Sequence, residues 1–94
     1  MITVIAVVRA KPGKGRELEE DFRAWAKVVK QKEPGTVMYT LNRSQDDPEL
    51  YYAVEQYVDA AAVQAHMANF QARGGGPDVA VGPPEIIVLE RVVG

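Results

Sequence analysis

Both ends of the chain carry apolar residues on the two faces of what must be strands. The first segment, Ile2–Ala10, reads ITVIAVVRA, and the last, Ile86–Val93, reads IIVLERVV. In an extended backbone successive side chains point to opposite faces. Ile2, Val4, Ala6 and Val8 therefore share one face of the first segment, and Ile5 and Val7 share the other. In the last segment Ile86, Val88 and Val92 oppose Ile87, Leu89 and Val93. A sheet with one solvated face would alternate apolar and polar instead. Both faces are expected to be buried: one beneath helices, the other against the sheet of a second copy.

What lies between supplies those helices. Lys11-Pro12-Gly13-Lys14-Gly15 is a turn cluster, after which the spacing becomes helical over Arg16–Lys32. Leu18, Phe22, Trp25 and Val29 fall on one stripe. Glu17, Glu19, Glu20 and Asp21 crowd its start and Lys27, Lys30 and Lys32 its end, as the helix dipole favours, and Pro34-Gly35 stops it. Val37–Arg43 and Leu50–Tyr57 read as an antiparallel pair around the loop Ser44–Glu49. Asp59 is the expected cap of a second helix, Ala60–Ala72, with Val63, His66, Met67 and Phe70 inward. The order is β-α-β-β-α-β, a ferredoxin-like α+β unit. At 94 residues and 10.3 kDa there is room for one domain, residues 1–94. Area scaling for that mass gives a folded surface of roughly 5,400 Å².

Composition narrows the chemistry. A net charge of −2 argues against a nucleic-acid or anionic-membrane partner. An RNA-binding sheet shares the element order and has aromatics in LYYAVEQY, but Glu55 stands mid-strand where such a sheet needs basic and aromatic residues. No cysteine is present, which removes disulfides, thiol nucleophiles and thiolate metal sites. One histidine leaves His66 as the sole imidazole, so no metal site and no self-supplied redox group is expected. No apolar run reaches membrane-span length and no leader is visible, so a cytoplasmic location is expected.

The ordered set of residues resembles the antibiotic biosynthesis monooxygenase family, the quinol-monooxygenase-like branch of dimeric α/β barrels. Ile2-Thr3-Val4-Ile5-Ala6 runs into Lys11-Pro12-Gly13-Lys14, and Glu33-Pro34-Gly35 follows the first helix. Tyr39, Asn42-Arg43 and Asp46-Asp47-Pro48 mark the second strand and its hairpin. The most specific stretch is Tyr52-x-x-Glu55-x-Tyr57-x-Asp59-x-x-Ala62-x-x-x-His66, and Pro84–Glu90 closes the set. The resemblance implies a homodimer whose sheets close into a barrel, with a cavity in each subunit. It also implies oxygenation of a phenolic, quinol or polycyclic aromatic substrate by molecular oxygen, with no cofactor. Departures exist: Tyr57 stands where the family usually has Trp, and Asn69-Phe70-Gln71 lacks a second His. The haem-degrading branch would need an Asn near Ala6 or Val8, a Trp near Tyr57, and a His near Gly74-Gly75-Gly76, so haem degradation is not expected.

The resemblance marks His66 as the catalytic candidate, the one side chain that titrates near neutrality unperturbed. A histidine on an apolar helix face can equally be structural. Glu55 can orient His66 or form an ion pair with Arg91. Tyr39, Tyr52, Tyr57, Trp25 and Phe70 are candidates for a flat aromatic pocket, though Phe22 and Trp25 at helical spacing also suit a plain core. Asn42 and Arg43 can donate to a ligand oxygen or be solvated hairpin residues. Gly74-Gly75-Gly76-Pro77 follows a helix and lacks the residues of a phosphate loop, leaving a lid or a connector. The alternative to an enzyme is a non-catalytic small-ligand-binding or dimerisation module of the same fold.

Overall fold

The computed structural model describes the whole chain, Met1–Gly94. Its elements are β1 (Ile2–Arg9), α1 (Gly15–Lys32), β2 (Thr36–Arg43), β3 (Leu50–Tyr57), α2 (Ala60–Ala72) and β4 (Glu85–Glu90). The strands form one sheet in the order β2-β3-β1-β4, with every neighbouring pair antiparallel. This is the ferredoxin-like α+β arrangement read from the sequence. No helix is long and apolar enough to cross a membrane.

The two helices form for the reasons the sequence gives. Leu18, Trp25 and Val29 of α1 are buried, while Phe22 on the same stripe is half-buried. Asp59 caps α2, its carboxylate accepting from the Ala62 amide at 2.9 Å, an arrangement worth about 1 kcal/mol. Between the helices the sheet register sets which side chains meet. Tyr39, Glu55, Val4 and Val88 stand in one row across the inner face, and Leu41, Ala53, Ala6 and Ile86 in the next. A bulge between Thr36 and Met38 creates this alignment. Without the extra residue, strict alternation would turn Met38 inward and Tyr39 outward; the bulge re-aims Tyr39 opposite Glu55.

Two expectations change. The last strand ends at Glu90, so Val92 and Val93 lie beyond it, 88% and 86% exposed. In the single chain β4 is exposed on both faces. The physical reason is placement: the helices lie over β2 and β3, and β4 sits at the far edge of the sheet. The surface of 6108 Å² exceeds the size-scaled value by about 700 Å². Tight burial is limited to 12 residues, and the small cluster of Ala10, Leu18 and Tyr51 packs at one end of the sheet. Elsewhere the two layers enclose space.

Candidate functional site

That space is a cavity of about 600 Å³ between the inner sheet face, the two helices and the segment 73–84. Val4, Ala6, Ala53 and Leu41 make an apolar floor, and Phe22, Trp25 and Phe70 form aromatic walls. Phe22 stacks on Tyr39 with ring centroids 4.7 Å apart and planes 11° from parallel. The lining is mostly apolar; Asp21 pairs with Arg73 at one end, and His66, Glu55 and Tyr39 converge at the opposite corner. A flat ring system with one or two oxygen functions matches such a surface.

His66 occupies that corner. Its Nδ1 lies 2.8 Å from Glu33 Oε1, and its Nε2 lies 3.8 Å from Glu55 Oε1. Tyr39 meets the imidazole edge-on at 5.1 Å between centroids, and Tyr57 flanks it at 5.5 Å. Glu55 Oε1 also accepts a 2.5 Å hydrogen bond from the Tyr57 hydroxyl. Glu33, Glu55 and His66 are the only polar or charged residues among those fully buried. Burial raises the Glu55 carboxyl above its ordinary value, and the Tyr57 hydrogen bond and nearby His66 oppose this only in part. Burial, with the Glu55 charge second, raises both the Tyr39 and Tyr57 phenols. Both therefore remain hydrogen-bond donors through the neutral range.

Glu33 reaches His66 because the turn after α1 lies hard against α2. A Cβ placed on Gly35 would meet the Ala62 Cβ at 2.6 Å, so only glycine lets the two backbones approach this closely. The Glu33 carboxylate also accepts from Thr36 Oγ1 at 2.8 Å and Asn69 Nδ2 at 3.1 Å. At the other end of the cavity Arg73 ties the layers together. Its guanidinium stacks 4.6 Å from the Trp25 ring, pairs with Asp21 at 3.0 Å, and donates through Nε to the Gly75 carbonyl. The Gly74-Gly75-Gly76-Pro77 run forms part of the cavity wall. Trp25 Nε1 is buried without a hydrogen-bond partner.

Of the residues singled out from sequence, His66, Glu55, Tyr39, Trp25 and Phe70 line the cavity, and Tyr57 stands directly behind Glu55. Three others lie elsewhere. Tyr52 and Asn42 are a facing pair on the outer side of the sheet, where Asn42 Nδ2 donates to the Tyr52 carbonyl at 3.1 Å. Strand alternation sends them away from the inward Tyr51 and Leu41 beside them. Arg43 binds Glu19 at 3.1 Å, beside a separate depression lined also by Arg23 and Tyr51. Glu55 pairs with Tyr57 and His66, and the Arg91 alternative does not occur.

Sequence reasoning missed Glu33, Asn69 and Arg73. Glu33 carried a usable signal: a carboxylate capping a helix end already rich in lysine runs against the dipole, and such local conflicts mark tertiary or functional roles. Nothing near Asp21 or Arg73 announces a pair 52 positions apart. No three His, Cys, Asp or Glu side chains converge so as to hold a metal ion.

The family model for antibiotic biosynthesis monooxygenases matches residues 1–74. The chain belongs to this family. Among solved structures, a candidate antibiotic biosynthesis monooxygenase from Caulobacter crescentus CB15 is 32% identical, with a TM-score of 0.80, covering 98% of this chain and 90% of that one. PA3566 from Pseudomonas aeruginosa is 30% identical at a TM-score of 0.80, covering 98% and 94%. MhuD, a heme-degrader from Mycobacterium tuberculosis solved with two hemes in its active site, is 26% identical at 0.81, covering 100% and 98%. No curated protein matches in sequence. In this member of the family the matched region ends at the first glycine after α2, so the cavity wall beyond it, from Gly75 to Ile86, lies outside the match.

Proposed function

We propose that the protein is a cofactor-independent monooxygenase of a phenolic, quinol or polycyclic aromatic substrate, with His66 as the proton acceptor. The observation that supports this reading is the convergence of His66, Glu55 and Tyr39 at one corner of a cavity whose floor is apolar and whose walls are largely aromatic. A ring system enters between Phe22, Trp25 and Phe70 and presents its hydroxyl to His66 Nε2. The imidazole takes the proton, and the Tyr39 phenol, held protonated by burial, donates to the resulting oxyanion. The electron-rich anion reduces molecular oxygen itself. In an anthrone, deprotonated as its enol, the ring methylene carbon becomes a carbonyl, and in a naphthoquinol a ring C–H becomes C–OH as the quinol becomes a quinone. In both, one oxygen atom stays in the product, the other leaves as water, and all electrons come from the substrate. An apolar pocket favours this by excluding competing solvent protons.

Haem is the ligand in MhuD; here Ala6 and Val8, Tyr57 and Gly74-Gly75-Gly76 stand where the haem-degrading branch would need Asn, Trp and His, so the donor set does not fit it.

The active form in this reading is a homodimer joined through the outer sheet face. Ile5 and Val7 are half-buried there, and Ile87 and Leu89 are 39% and 44% exposed. The surface excess of about 700 Å² is close to the roughly 800 Å² per partner that a stable interface removes.

Oxygen consumption with anthrone or a reduced naphthoquinol, measured above the autoxidation rate, tests the activity. Replacing His66 with Ala should lower the enzymatic rate about 10²–10⁴-fold, the usual contribution of general acid–base catalysis, in a protein that still melts cooperatively. A folded variant with full activity would remove His66 from the mechanism. Tight binding of these probes with no oxygen uptake in the unmodified protein would make the cavity a carrier site instead.

A further inference from the structure

Glu33 has no part in the mechanism as stated, yet its side chain is only 2% exposed and is the most heavily hydrogen-bonded carboxylate in the site. Thr36 Oγ1 and His66 Nδ1 meet Oε1, and Asn69 Nδ2 meets Oε2. A hydroxyl and an amide both donate here, and an ionised carboxylate is an acceptor only. The group at 2.8 Å on the imidazole side completes the set when it too donates. That places the proton of the neutral ring on Nδ1 and leaves the lone pair on Nε2, the nitrogen facing Glu55 and the cavity. A ring with the opposite tautomer would turn an N–H toward the substrate and could not act as a base.

We propose that Glu33 is a positioning residue that selects the Nδ1–H tautomer of His66 and holds the imidazolium formed when Nε2 takes a proton. The inference rests on the reading of His66 as the proton acceptor and adds the group that makes it one. Groups from three elements face the ring. From the end of α1 comes Glu33, and from β3 come Glu55 and Tyr57. Tyr39 faces it from β2. Arg73, the one Lys or Arg lining the cavity, is engaged by Asp21 and stacks on Trp25. Of the two carboxylates Glu33 is the nearer, at 2.8 Å against 3.8 Å, so it is the one that holds a charge formed on the ring.

The chain contains one histidine, so the His66 ring gives single, unambiguous nitrogen and Cε1–H resonances. In ¹⁵N-labelled protein above the ring's titration, Nδ1 should be protonated and Nε2 bare. Glu33→Gln should mix the tautomers, with both ring nitrogens partly protonated in the neutral ring. With reduced naphthoquinol as probe, oxygen uptake should fall at least tenfold, and Glu33→Asp should recover part of the rate together with the Nδ1–H tautomer. A proton on Nε2 in the neutral ring of the unmodified protein overturns the proposal, as does a folded Glu33→Gln protein with an unchanged tautomer. Because the tautomer is read on the unmodified protein, a variant that fails to fold does not rescue the idea. Absence of oxygen uptake in the unmodified protein would instead remove the oxygenase reading, leaving the tautomer measurement to decide Glu33 separately.

Discussion

Replacing Gly35 with Ala tests whether the approach of the two helices builds the site. Gly35 does not adopt the left-handed backbone, so its lack of a side chain answers to space alone. The new methyl would lie 2.6 Å from the Ala62 Cβ and 3.3 Å from Val58 Cγ2, whereas ordinary contact is 3.4–4 Å. Relief requires the turn and α2 to part by about 1 Å, an overpacking cost of about 1–3 kcal/mol. The same movement stretches the 2.8 Å Glu33–His66 contact, and a hydrogen bond to a charged group is worth about 1.5–3 kcal/mol. Reduced chain entropy in the unfolded state returns about 0.4–1 kcal/mol. A net loss of about 2–4 kcal/mol should lower Tm by roughly 10–25 °C in a domain of this size. Calorimetry reads the loss, and the single His66 Cε1–H resonance should shift with it. The double variant Gly35→Ala, Ala62→Gly removes the facing methyl at a helix cost of about 1 kcal/mol and should melt above Gly35→Ala alone. A Gly35→Ala protein that melts within about 3 °C of the parent, with its histidine resonance unmoved, refutes the reasoning.

Two further outcomes follow from charge and exposure. Burial raises the Glu55 carboxyl, so the folded protein binds more protons than the unfolded one just above the ordinary value of 4.5; the stability this lends is full below that value and lost as pH rises through the folded one. Glu55→Gln should therefore gain in Tm on the parent between pH 4.5 and neutrality, and a constant difference across that range would contradict the burial argument. Leu89→Glu should convert a dimer to a monomer by light scattering at micromolar concentration, and an unmodified protein that scatters as 10.3 kDa would overturn the dimer.

Element order was legible because each signal was local. The α1 stripe, the Asp59 cap and the Pro34-Gly35 stop are short-range, and the structure places all three as read. Strand faces were legible for β1 and β3, whose alternation is unbroken. On β2 the pattern alone does not show the bulge after Thr36, and the bulge decides that Tyr39 faces inward. Tyr52 and Asn42 were misplaced for a related reason: residue type suggested a binding role, while their period-two position put them on the outer face. His66 and Glu55 were legible through the resemblance. The partner that holds the ring was not, because Glu33 sits 33 residues away and nothing local in the Glu33-Pro34-Gly35 turn encodes its contact with α2.

The distribution of burial joins the site to the assembly. A domain of 94 residues has little stability to spare, yet three of its 12 buried residues are carboxylates or imidazole and its layers enclose a cavity where a packed core would be. Withdrawing Glu33, Glu55 and His66 from water costs several kcal/mol per charge before pairing, and filling the same volume with Leu or Phe would be more stable. The compensating apolar surface lies on the outer face of β1 and β4, with Ile87 and Leu89 left open in the single chain. Covering it in a dimer would supply burial that the hollow interior gives up. On this argument the outer face and the cavity are linked: a variant that fills the cavity should tolerate loss of the dimer better than the parent does, since each offsets the same deficit.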